Sequence, residues 1–405
     1  MERYSSHSVR IRVLPILFGM LVGLWLLFAL LVAPWVIDHA SRGDSLPILN
    51  RLFEGRPLHP LGRYLQVWHH QVTIPGLLIC VGAWLVLLVM SRPAFFRRCV
   101  GEATPGSLGA IRMLTCTILL LSILWEHFSS IAVLPPEIRR PMGIMRVLDA
   151  VPIGLAQLVT SETGLQLFQW FTAVLLFLGA IGWRTRLVIP LGALCFLVFG
   201  GILREYSFFW HQHLVPFYVM AVLSWTPCGD GWSVDRLRKI AAGRPVPPAD
   251  TATARYGWCR YACWVAVALP YVAAGLSKLR KVGPFWWTAT NMRRIFYTDT
   301  LNPMQFDWQV SLSLAHAPDV VFTLLGLAGV FGEVCYGLVL FSRIARWICP
   351  ITMGLMHVGI MFLQNILFID LIFLQLIFFD FTKLRHAIGR WVAARRGRLQ
   401  ALYER

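Results

Sequence analysis

"GWCRYACWVAVALPYVAAGLSK", residues 257–278, decides the fold. The run is apolar for about 20 residues, enough helix at 1.5 Å per residue to cross a hydrocarbon layer of about 30 Å, and it closes on a lysine. Trp264, Tyr271 and Lys278 are seven residues apart and therefore share one helix face, which points at other helices or at a cavity. A helix-end lysine can send its ammonium to the headgroups. The stripe gives it a second reading. Arg280 and Lys281 add like charge, which together with partial desolvation disfavours the ammonium and leaves an amine able to act as a base.

Similar runs recur along the whole chain. Of its 405 residues 57% are hydrophobic and 14% charged, and there is no long alternation of apolar and polar residues. Backbone groups in lipid need internal partners, so the fold is expected to be all-α, a polytopic membrane helix bundle with no soluble domain. About ten spans are read, near 13–37, 72–90, 110–134, 165–183, 186–203, 214–227, 257–278, 320–342, 346–364 and 365–382. The first is too long an apolar stretch for a signal peptide and reads as an anchor.

The formal net charge of +17 resides in short loops and in the tail, a topology signal rather than a nucleic-acid footprint. With the N-terminus inside, alternate segments hold 24 Lys and Arg inside against 13 outside, so both termini are expected in the cytoplasm. Residues 1–104 read as a two-helix hairpin with an interfacial loop, 105–385 as the main bundle, and 386–405 as a basic tail drawn to anionic headgroups. The outer loops 38–71, 135–164 and 279–319 are expected to lie in the interface. Nine cysteines fall in spans or inner loops, leaving none for an extracytoplasmic disulfide. A bacterial inner membrane fits.

Ionisable residues also lie deep in apolar runs: Glu333 in "GVFGEVCYGLVLF" and His357 in "MGLMHVGIMFLQN". Charges at that depth face the bundle interior with a partner. Glu333 is expected to pair with His357 or an arginine, or to handle protons. Arg112, near the start of the third span, is expected to snorkel or to pair with an acid. Gly329 and Gly332 suggest a close helix approach. Cys259 and Cys263 read as packing residues. In "SFFWHQHLVPFYV", residues 207–219, Pro216 suits a first helical turn, which leaves His211 and His213 in the preceding loop, where either could point inward. H-x-H has no acid or cysteine at ligand spacing, so no metal is expected.

Six stretches in order, "SLGAIRMLTC" from 107, "FLGAIGWRTRLVIP" from 177, "WHQHLVPFY" from 210, "GWSVDRL" from 231, "AGLSKL" from 274 and "MFLQNILFI" from 361, carry a family resemblance. The chain resembles the horizontally transferred transmembrane domain (HTTM) family, typified by vitamin K-dependent γ-carboxylase, over residues 105–385. The resemblance implies that Lys278 is the base deprotonating a reduced vitamin K or another naphthoquinol, with His213 beside it. It also implies that the oxygenated quinol then removes a γ-proton from a glutamate, whose carbanion takes carbon dioxide. His211, Tyr271, Glu333, His357 and Arg112 are possible supporting residues. Expected partners are membrane lipid, a lipophilic quinol and a peptide or small carboxylate, with no nucleic acid. Two other readings stand beside this one: a non-catalytic bundle binding a lipid, isoprenoid or peptide, and a proton-coupled transporter using Glu333, His357 and Asp370.

Overall fold

The computed structural model describes residues 16, 18–42, 60–90, 92–135, 161–206, 213–248, 250–303 and 305–379. Among these the chain is all-helical, apart from one antiparallel bridge between Ala103 and Thr253. The basic tail and His211 lie outside the described residues.

Two compact units divide after Arg98, with Ala132–Ser161 grouped with the first. The first unit contains α1 (Phe18–His39) and α2 (Leu61–Val86), joined where Trp68 Nε1 donates to the Ala29 carbonyl at 2.9 Å. Their apolar surfaces remain mostly exposed, as helix faces in lipid do.

The second unit holds α3 (Pro105–Trp125), α4 (Glu162–Ile181), α5 (Thr185–Tyr206), α6 (Leu214–Leu223), α7 (Val234–Ala241), α8 (Ala254–Val282), α9 (Ala289–Leu301), α10 (Asp319–Cys335), α11 (Ala345–Gln364) and α12 (Ile369–Leu374). Local chemistry sets the ends. Thr104 accepts from the Ser107 N–H at 3.1 Å ahead of Pro105. Gly283, at φ +61°, ends α8 in a positive-φ conformation that glycine tolerates, and Asn365, at φ +57° and ψ +30°, ends α11 in the left-handed conformation that helices commonly use as a stop. α8 packs against α3, α6 and α10 and forms the centre of the unit. On α4, Leu167, Trp170, Phe171, Val174 and Phe177 are all exposed. This apolar face suits hydrocarbon.

Eight helices among the described residues are long and apolar enough to cross a membrane. The expected count of about ten needs a correction at two places. Leu214–Leu223 and Ile369–Phe378 are apolar but short, about 15 Å each, half a hydrocarbon thickness. Both begin inside the unit. His213 precedes α6 in a left-handed conformation, φ +66°, and Asp370 stands in the first turn of α12. Non-helical backbone at depth is tolerated where protein or a cavity surrounds it. The loop 279–319 contains α9, whose Met292 and Phe296 pack on Phe322 of α10.

A buried polar site on the central helix

The α8 stripe points inward along its whole length. Trp264 donates to the Ile377 carbonyl at 3.1 Å, Tyr271 meets His357 at 2.9 Å, and Lys278 Nζ bonds Glu333 Oε1 as an ion pair. The Lys278 side chain is 27% exposed and that of Glu333 9%. The Lys278 amine is therefore turned toward α10, 5.2 Å from the centroid of Trp286. This corrects two expectations. Glu333 pairs with neither His357 nor an arginine, and like charge from Arg280 and Lys281 is countered by a carboxylate.

The pair forms because α8 and α10 nearly touch. A Cβ on Gly275, one turn before Lys278, would lie 2.9 Å from the Val334 backbone nitrogen and 3.0 Å from Glu333 Cβ. The close approach expected of Gly329 and Gly332 is not made there: a Cβ added at the first would meet no other group within 4 Å, and one at the second would lie 3.8 Å from Met353 Cε.

Beyond Tyr271 a chain of hydrogen bonds has a readable direction. Gln375 Nε2 lies 2.9 Å from the Leu371 carbonyl, which can only accept, so the amide orientation is fixed. Gln375 Oε1 therefore accepts from the Tyr336 hydroxyl. The second Nε2 hydrogen goes to Tyr271 Oη at 3.0 Å, so the Tyr271 hydrogen goes to His357 Nε2. His357 then carries its proton on Nδ1. Among the described residues that Nδ1 has no partner, and neither do Glu333 Oε2 or Asp370 Oδ1. His357 also lies within electrostatic reach of both Asp370 and Lys278.

His213, 6% exposed, forms a second cluster. Its backbone N–H donates to Asp370 Oδ2 at 2.7 Å, and its ring Nδ1 lies 3.2 Å from the same oxygen and 3.0 Å from Ser122 Oγ. Ser122 donates its own hydrogen to the Ile118 carbonyl at 2.8 Å, leaving Oγ to accept from Nδ1. A Ser-His-Asp nucleophile requires the serine and the acid on opposite ring nitrogens. Here both are on Nδ1, so Ser122, His213 and Asp370 do not form such a triad. Among the described residues no hydrogen bond joins His213 to Lys278.

Arg112 neither snorkels nor meets an acid. It is wholly buried. Nη1 donates to the carbonyls of Cys228 at 2.7 Å and Gly231 at 3.3 Å, and Nη2 to those of Trp232 at 2.6 Å and Ala180 at 3.4 Å. It is a tie for the turn after α6, separate from the Lys278 site. Burial pushes the Cys228 thiol there up to about 11, which keeps it protonated and unreactive.

The described residues contain no cluster of His, Cys, Asp and Glu able to hold a metal, and the nine cysteines are free. Sequence reasoning assigned no site role to Gln375, Tyr336 or Ser122. Asp370 had been considered only for transport. No family model, curated protein or solved structure matches the chain.

Proposed function

We propose that this chain is a membrane enzyme of the HTTM, carboxylase-like class that takes a proton from a lipid-soluble quinol. The supporting observation is that Glu333 Oε2, His357 Nδ1 and Asp370 Oδ1 are buried without partners among the described residues: the first belongs to the carboxylate paired with Lys278, and His357 lies within electrostatic reach of both Lys278 and Asp370. Buried polar atoms normally have partners. Two acceptors and one N–H donor suit a hydroxylated aromatic ring, and the indole of Trp286 and the ring of Tyr271 offer it apolar surface.

When bound, a reduced naphthoquinone supplies the acidic hydroxyl and the electrons for oxygen. The residues move and hold protons. Transfer of the shared proton from Lys278 Nζ to Glu333 frees the amine lone pair, which then accepts the hydroxyl proton. The His357 Nδ1–H, fixed by the Tyr336–Gln375–Tyr271 chain, donates toward the oxyanion that develops. His213, held on Asp370 and Ser122, borders the site as a positioning group. The active face is extracytoplasmic, with both termini cytoplasmic in a bacterial inner membrane, as the distribution of Lys and Arg suggests.

The test is oxygen-dependent epoxide formation from a reduced naphthoquinone by the purified protein. Lys278→Ala is expected to lower turnover by about 100-fold or more. Equal turnover in both proteins contradicts the assignment. A second reading, a non-catalytic lipid or isoprenoid binder, is favoured by the lack of a direct Lys278–His213 contact. Quenching of Trp286 by the quinol without turnover would support it.

A further inference from the structure

A cationic cavity of about 460 Å³ lies between the α4–α5 turn, the segment after α6, α7 and the start of α8. Arg184, Arg186, Lys239 and Arg255 line it, together with Asp230 and Asp235. Both carboxylates are already engaged. Asp235 accepts from the backbone N–H groups of Arg184 and Thr185, each at 2.7 Å, and from Thr185 Oγ1 at 2.9 Å. Asp230 takes Lys239 at 3.3 Å and the Tyr256 hydroxyl at 2.9 Å. The guanidiniums of Arg184, Arg186 and Arg255 consequently have no acidic partner among the described residues, and all three residues are exposed.

Arg255 opens α8 and Lys278 closes it, so the two stand roughly 34 Å apart along the helix axis, about one membrane thickness. The cavity is thus at the opposite end of the spanning helix from the proton site. Trp225 nearby is 93% exposed, and Arg184 lies 4.9 Å from the Trp183 ring centroid, an aromatic setting typical of the membrane interface. Three unpaired planar forks around one concavity match the oxygens of a phosphate ester.

We propose that this cavity binds the phosphate of an anionic ligand at the membrane surface, supplied by a lipid headgroup or by a soluble phosphate. Native mass spectrometry of the full chain in nonionic detergent tests it, with dioleoyl phosphatidylglycerol, dioleoyl phosphatidylcholine and inorganic phosphate as separate probes. Wild type is expected to retain phosphatidylglycerol over phosphatidylcholine, whose choline neutralises its phosphate. The Arg184→Gln/Arg186→Gln/Arg255→Gln variant should lose that retention about tenfold or more, while Arg238→Gln, exposed and outside the cavity, should keep it. Arginine-dependent retention of inorganic phosphate alone also supports the site and names the soluble source. Equal retention of every probe by wild type and a triple variant of unchanged melting temperature overturns the proposal. A triple variant that unfolds is replaced by the three single substitutions, read against the same criterion.

Discussion

Arg112 and Lys278 are both cations inside the same helical unit, and their partners differ in kind. Arg112 directs both Nη groups to four backbone carbonyls, which cannot leave and cannot take a proton at neutral pH, and only its Nε has no partner among the described residues. Lys278 has one titratable partner, Glu333, whose second oxygen is buried and unpartnered among the described residues. A buried charge surrounded by fixed carbonyls stabilises a turn. One beside a carboxylate has a partner that can itself take up a proton, which the proposed proton transfer requires.

The largest effect that would sharpen this contrast is at Arg112. Arg112→Met strands the carbonyls of Cys228, Gly231, Trp232 and Ala180, and a loss of about 3–5 kcal/mol is expected. It would be read as a collapsed thermal midpoint in detergent with no specific effect on quinol binding. Retained stability would break the comparison from the structural side.

Next is the ion pair. Lys278→Met leaves Glu333 buried without its cation, and about 1–3 kcal/mol should be lost. Glu333→Leu added to it should restore part of that loss. A double-mutant cycle measures the coupling; additive effects would mean that the contact contributes nothing. A similar loss, about 1–3 kcal/mol, is expected for Gly275→Ala, because the new Cβ meets the Val334 backbone. Turnover should fall with it as Glu333 is pushed from Lys278.

The smallest effect lies away from both sites. Burial raises the Asp299 carboxyl on α9 to about 6. Its folded-state value thus stands above its unfolded one, so the folded form holds the proton more tightly and stability falls as pH rises from about 4 to 6. Asp299→Asn should flatten that slope and raise the melting temperature slightly at neutral pH. The gain is under about 1 kcal/mol, because the group is partly solvated. An unchanged slope would contradict it.

Hydropathy revealed the long helices because each buries its own backbone hydrogen bonds, and apolar length alone then reports a span. It overstated α6 and α12, where apolar residues continue but the helix is broken at His213 and Asn365. The inward course of the α8 stripe was legible from its spacing of seven. The partner of Lys278 was not. Glu333 lies 55 residues away in sequence, and pairing between helices is a tertiary fact that a single chain does not encode locally. Gln375 escaped for another reason: a neutral amide gives no charge signal at depth, although it sets the direction of the whole chain to His357. Glycines were visible, but the helix face that needed one was not, so Gly329 and Gly332 were favoured over Gly275.

Difference infrared spectroscopy in the carboxyl region, on adding a reduced naphthoquinone under anaerobic conditions, tests the proton exchange proposed for Lys278 and Glu333 most directly. A carboxylate band that shifts or becomes protonated in the wild type, and is lost in Glu333→Gln, is the predicted result. Spectra with no carboxyl change, or with the same change in both proteins, would contradict it.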